Sequence, residues 1–266
     1  MTGPDTARQL DAFVTKTVTP EPRDGNAPVR IAECDHGMLN SIGLANPGRD
    51  RFVADTLPEL RSLGLPIWVS VGGFSARDYA GTCELLEDVV VELNLSCPNV
   101  DEAPEGAAEI VTACRAATDL PLYAKLSPAS WDIAETARAV EAAGADGLSL
   151  VNTMRGLALD DRLRPQLARV IGGYSGPALR PIALAAVHTC REATALPIVG
   201  MGGVSSGRHA LELIACGATH VALGTVLFAD PDAPARVRAE LSSEVARLGF
   251  ENTEEAIGVA GDSVAG

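Results

Sequence analysis

The sequence predicts an α/β fold, a TIM (β/α)8 barrel shortened at its N-terminal end by about one strand. Three observations predict it. Short β-branched runs alternate with longer amphipathic stretches along the chain. Runs such as VVVEL and GLSLV are apolar on both faces, as expected of a parallel sheet covered by helices and closed on itself. Polar and glycine-containing segments fall where the runs end, the position at which barrels of this kind carry their chemistry. With 266 residues, 47% hydrophobic and only 4% aromatic, the chain packs a large core from small side chains, and residues 1–266 are expected to form one domain.

In chain order, the first strand is expected from Phe13 to Val18. An irregular region rich in Pro, Gly, Asp and Asn follows from Thr19 to Asn46, and a loop of that length inside a compact domain is usually functional. The next strands are expected from Ile67 to Val71, Val89 to Leu95, Leu122 to Leu126, Gly147 to Val151, Leu196 to Gly200 and His220 to Gly224. Between them, Ile133, Val140 and neighbouring alanines make one apolar helical stripe that stops at Gly144. Ser206 opens another that stops near Gly217. These are seven strands where a complete barrel needs eight.

Composition narrows the partners. A formal charge of −14 with no concentrated basic stretch excludes nucleic acid and anionic membrane surfaces as partners. No apolar run approaches the roughly 20 residues that span a bilayer, and the first residues lack the pattern of a signal peptide, so the expected location is cytoplasmic. Six cysteines, at 34, 83, 97, 114, 190 and 216, include no CxxC pair, so no metal or iron–sulfur ligand set is expected in the chain itself.

The strand ends are specific. The third run finishes as Glu92-Leu93-Asn94-Leu95-Ser96-Cys97-Pro98-Asn99, which puts carboxamides and a thiol at one mouth. A carboxamide both donates and accepts, so a pair suits a ring of alternating C=O and N–H groups. Cys97 is a base or nucleophile if its thiolate is stabilised, and otherwise an inert small hydrophobe. Lys125 interrupts a strand made for burial and needs an anionic or carbonyl partner there. Lys16 repeats the situation on the first strand, the alternative being a side chain that snorkels to solvent. Asn152 and Thr153 end the fifth run. Glycines follow at 172, 173 and 176, at 200, 202 and 203, and at 224 beside Thr225. Glycine-rich loops late in a barrel commonly cradle a phosphate through backbone N–H groups.

Taken together, VTKTVTPEPR, HGMLNSIGLANPG, ELNLSCPN, LYAKLSP, GADGLSLVNT, GGYSGPALRPIAL, IVGMGGV and ALGTVLF resemble the class 1 dihydroorotate dehydrogenases, from about Phe13 to Phe250. Cysteine rather than serine at position 97 separates the chain from the class 2 enzymes, and NSIGLANPG with GGYSGPALRP is more similar to the NAD-linked subtype. The resemblance implies oxidation of dihydroorotate to orotate, with FMN as cofactor. It also implies a homodimer and a second subunit carrying FAD and an iron–sulfur cluster. It implies FMN contacts from Lys16, Thr17, Asn94, Lys125, Val151, Gly176, Gly202, Gly203, Gly224 and Thr225. Substrate contacts are implied for Lys16, Asn40, Ser41, Ile42, Gly43, Leu44, Asn94, Asn99, Asn152 and Thr153, with Cys97 as catalytic base and Lys125 as electrostatic partner of the flavin. Ser70 stands where the family usually has an asparagine. A dehydrogenase of another dihydropyrimidine, and a flavin-free barrel acting as a binding subunit, are the alternatives.

Overall fold

The computed structural model describes residues 4–95, 106–130 and 132–261. Seven parallel strands form one curled sheet in the order β1-β4-β5-β6-β7-β10-β11. They are β1 (Phe13–Val14), β4 (Ile67–Val71), β5 (Val90–Asn94), β6 (Leu122–Leu126), β7 (Gly147–Leu150), β10 (Ile198–Gly200) and β11 (His220–Val221). Helices link them: α1 (Leu57–Arg61), α2 (Ala76–Cys83), α3 (Ala107–Ala117), α4 (Ile133–Ala142), α5 (Arg180–Ala193), α6 (Gly207–Ala215) and α7 (Ala233–Arg247). Among the described residues the edge strands β1 and β11 pair with no partner beyond β4 and β10.

Three helices start where a side chain can satisfy an orphan backbone donor. Ser75, Asp132 and Ser206 are N-caps whose oxygens accept from the N–H groups of Asp78, Glu135 and His209, each such cap contributing about 1 kcal/mol. The sheet's outer face is then uniformly apolar: Val69, Val71, Val91, Leu93, Leu122, Ala124, Leu126, Leu148, Leu150 and Ile198 are all buried in one cluster with helix residues such as Ile110, Val140 and Val187. Cys83, Cys114 and Cys190 belong to that cluster, and burial pushes the Cys190 thiol up to about 12, so it stays protonated and packs as a small hydrophobe.

The inner face differs from the sequence expectation, which had it apolar. Register partners stand on one face of a sheet, and the pairs Ser70↔Glu92, Asn94↔Lys125 and Lys125↔Ser149 put a polar layer on the concave side. Below it, Trp68 and Tyr123 fill the barrel with rings 4.5 Å apart. Tyr123 occupies the space a side chain at Gly147 would need: a Cβ there would stand 2.2 Å from its ring. The two partly buried rings thus lie below the polar layer, on the side away from the strand ends.

Three further expectations are corrected. The region from Thr19 to Asn46 is not irregular throughout, because β2 (Ile31–Cys34) and β3 (Gly37–Asn40) form an antiparallel hairpin. Gly172, Gly173, Tyr174 and Ser175 form a strand, β9 (Gly172–Ser175), rather than a loop. It joins β3 and β8 (Met154–Gly156) in a second, four-stranded sheet. The glycine signal was misleading for a physical reason: a Cβ on Gly172 would lie 2.6 Å from the Asn40 carbonyl, so close strand approach selects glycine. The first strand also ends early, at Val14, and the chain meets β4 again at the bridge Val18↔Val71.

Candidate active site

At the carboxyl ends of β4 to β7 lies a cavity of about 320 Å³. Its walls include Lys16, Thr17, Asn40, Ile42, Gly43, Leu44, Asn94, Lys125, Asn152 and Thr153, all expected site residues, together with Val14, Thr15, Ser70 and Glu92. A hydrogen-bond chain ties four segments together. The Asn152 amide donates to Asn94 Oδ1 at 3.0 Å, the Asn94 amide donates to Thr17 Oγ1 at 3.1 Å, and Thr17 meets Ser70 Oγ at 3.0 Å. Tyr79 donates its hydroxyl to the Asn94 carbonyl at 2.7 Å, and Asn152 Oδ1 accepts from the Thr153 N–H at 2.8 Å. Each carboxamide is therefore oriented before any ligand arrives, which lowers the entropic cost of using it.

The 40–44 segment is held from behind. Asn26 donates its amide to Ser41 at both the carbonyl, 3.1 Å, and Oγ, 2.9 Å, while its own N–H donates to the Ile42 carbonyl at 3.0 Å. Gly43 has φ +75° with Asn26 only 2.7 Å from where a Cβ would sit, and Leu44 follows with φ +57°. A left-handed non-glycine residue costs about 1 to 3 kcal/mol and persists where surroundings dictate it, commonly beside ligands. Ser41 is buried with its hydroxyl engaged by Asn26, and it does not line the cavity.

The cavity's charges are two lysines and one glutamate. Lys125 Nζ meets Glu92 Oε1 at 3.3 Å, which supplies the partner that a lysine on a buried strand requires. Ser149 Oγ, on the register partner of Lys125, is fully buried with no hydrogen-bond partner among the described residues. Sequence reasoning singled out the lysine and not Glu92. The signal was available: Glu92 is two residues before Asn94 on a strand, hence on the same face.

The remaining expected cofactor residues form a separate group. A Cβ on Gly203, at φ +73°, would lie 2.9 Å from the Gly176 carbonyl, and one on Gly202, at φ +127°, would lie 2.8 Å from Ala183 Cβ. Thr225 donates its hydroxyl to Ser175 Oγ at 2.9 Å, which ties the segment after β11 to β9 beside Gly176, and a Cβ on Gly224 would meet nothing within 4 Å. Val151 is buried, its N–H donated to the Met201 carbonyl at 3.0 Å. None of Val151, Gly176, Gly202, Gly203, Gly224 and Thr225 lines the 320 Å³ cavity. Cys97 and Asn99 lie outside the described residues. No group of three His, Cys, Asp or Glu side chains among the described residues could hold a metal, and no described helix is long and apolar enough to cross a membrane.

A curled parallel sheet with a polar, cation-bearing cavity at the carboxyl ends of its strands defines a small-molecule enzyme of the barrel-like α/β class. Comparison with known proteins narrows this. The profile of the family described as "Dihydroorotate dehydrogenase" matches residues 5–245. The "Dihydroorotate dehydrogenase B (NAD(+)), catalytic subunit" of Latilactobacillus sakei is 45% identical over 252 residues, 90% of this chain and 82% of that protein. Proteins of the same description from Desulforudis audaxviator and Trichlorobacter lovleyi are 43% and 42% identical, each over 94% of this chain and 86% of the relative. The chain belongs to the dihydroorotate dehydrogenase family, oxidoreductases that convert dihydroorotate to orotate in pyrimidine biosynthesis.

Proposed function

We propose that the chain is the catalytic subunit of an NAD-linked dihydroorotate dehydrogenase that uses FMN, with Cys97 as base. The observation that carries this reading is the cavity itself, where two lysines and two pre-oriented carboxamides converge at one set of strand ends. The residues fit an anionic flavin. Lys16 and Lys125 offer charge to the ring end, and Gly176, Gly202, Gly203, Gly224 and Thr225 offer a second place where backbone can approach a phosphate without a side chain intervening. When bound, the flavin supplies the acceptor for the hydride that leaves C6 of dihydroorotate.

The chain's own residues do the rest. Cys97, three residues beyond the end of β5, takes the C5 proton onto its sulfur. Asn94, Asn99, Asn152 and Thr153 grip the ring's C=O and N–H edges. Asn40 to Leu44 close over the substrate, and Lys16 neutralises its carboxylate. We read residues 1–266 as one domain, a (β/α)8 barrel short of about one strand, and the seven parallel strands with edges at β1 and β11 support that reading. We assign it a homodimeric, cytoplasmic form that passes electrons to a second subunit carrying FAD and an iron–sulfur cluster. The words "catalytic subunit" and "NAD(+)" in the relatives' descriptions support that partner.

Steady-state assays with an artificial acceptor, comparing dihydroorotate with dihydrouracil, test the substrate. Dihydroorotate is expected to be preferred by more than about 100-fold in kcat/KM, since a site built to pair a polar group rejects the analogue that lacks it. Equal turnover of the two, or preference for dihydrouracil, rules the assignment out.

A further inference from the structure

We infer that Glu92 is a positioning residue that sets how strongly Lys125 draws electrons into the bound flavin. The inference rests on the reading of this cavity as the flavin site.

Glu92 is 1% exposed, in the middle of a strand whose other buried residues are apolar. A carboxylate that deep must be paired, and the cation that meets it is Lys125, 3.3 Å away on the adjacent strand. If the pair served folding alone, two apolar side chains of similar volume would do as well or better. Folding therefore does not account for a carboxylate in the wall of a cavity that takes anionic ligands. The geometry does. Glu92 and Asn94 face the cavity from one strand, two residues apart, and Lys125 is the register partner of Asn94, so the ammonium stands at the cavity wall with the carboxylate on the next strand. Glu92 is almost wholly buried while the Lys125 side chain is 21% exposed. The carboxylate is thus the fixed member and the ammonium the member it restrains. Held there, the ammonium keeps its position while part of its field is cancelled, and the flavin in the cavity feels the remainder.

Two consequences separate this from a structural ion pair. Removing the negative charge while keeping the shape, as in Glu92→Gln, leaves the ammonium uncancelled and favours the reduced, anionic flavin over the oxidised form. The midpoint potential of the bound flavin then rises. A roughly tenfold change in the ratio of affinities for the two forms corresponds to about 30 mV for a two-electron couple. Glu92→Asp, which keeps the charge, stays closer to the wild type than to Glu92→Gln.

Anaerobic dye-linked redox titration of the purified, FMN-loaded chain measures this in wild type, Glu92→Gln and Glu92→Asp. Glu92→Met, similar in volume and equally uncharged, replaces the Gln variant if that one does not fold, and the same upward shift is expected. A potential that stays at the wild-type value or falls, in either uncharged variant that folds, overturns the inference, even if the melting temperature drops. Wild-type protein that takes up no FMN overturns the flavin reading as well. Loaded wild type with unmoved variants overturns this inference alone.

Discussion

Cys97→Ala is expected to reduce its flavin with dihydroorotate about 10² to 10⁴ times more slowly than the parent, the range that a positioned general base contributes. C5 of dihydroorotate carries a proton that water removes poorly, and that proton must leave for orotate to form as the hydride leaves C6. ELNLSCPN places a thiol three residues past Asn94, at the end of a strand whose last residue already lines the cavity. A thiol of ordinary pKa ~8.5 is mostly protonated at neutral pH, so the parent's reduction rate should climb with pH as the thiolate forms. The alanine variant has nothing to titrate, and its residual rate should lose that limb. Stopped-flow reduction across pH 6 to 10 measures both features. FMN content should be unchanged, since the variant removes no expected cofactor contact. Parental rates in Cys97→Ala would remove the thiol from the role of base.

Lys125→Met should slow the same half-reaction by about 10² to 10³, as removing one well-placed electrostatic stabiliser in a dry site does elsewhere. This variant carries a second cost. It leaves the Glu92 carboxylate buried without the cation 3.3 Å away, and breaking a buried pair from one side typically costs about 3 to 5 kcal/mol of stability. A lower melting temperature could then be mistaken for the cause of the slower rate. The double variant Lys125→Met with Glu92→Met separates the two effects. It restores an uncharged, packed wall and should recover most of the melting temperature, while flavin reduction stays slow. Recovery of rate together with stability would mean that the ammonium acts on folding and not on the reacting ring.

What the sequence made legible follows from what each element asks of its residues. The central strands buried on their helix-facing side announce themselves, because Val69, Val91, Leu122, Leu148 and Ile198 must be apolar. Their inner faces mislead, since a polar layer of Ser70, Glu92, Lys125 and Ser149 alternates with those apolar residues and short runs blur the two. The second sheet was illegible for a different reason. Its strands carry glycines at 37, 156, 172 and 173, at Gly37 and Gly172 because a neighbouring backbone carbonyl approaches too closely for a side chain, and glycine-rich segments look like loops. Ten expected site residues meet at one cavity: Lys16, Thr17, Asn94, Lys125, Asn152 and Thr153 because strand ends converge in a barrel, and Asn40, Ile42, Gly43 and Leu44 because β3 and the loop after it are brought to the same place. Glu92 carries no motif of its own, and the signal that places it, its two-residue spacing from Asn94 on one strand face, gains its meaning from Lys125 on the next strand.

The visible spectrum of the purified chain, taken anaerobically before and after one equivalent of dihydroorotate, tests the central claim most directly. The expected result is a flavin band in the blue that bleaches on addition of the substrate and returns with an electron acceptor. A protein that stays colourless after incubation with FMN, or a flavin band that dihydroorotate leaves untouched, would contradict it.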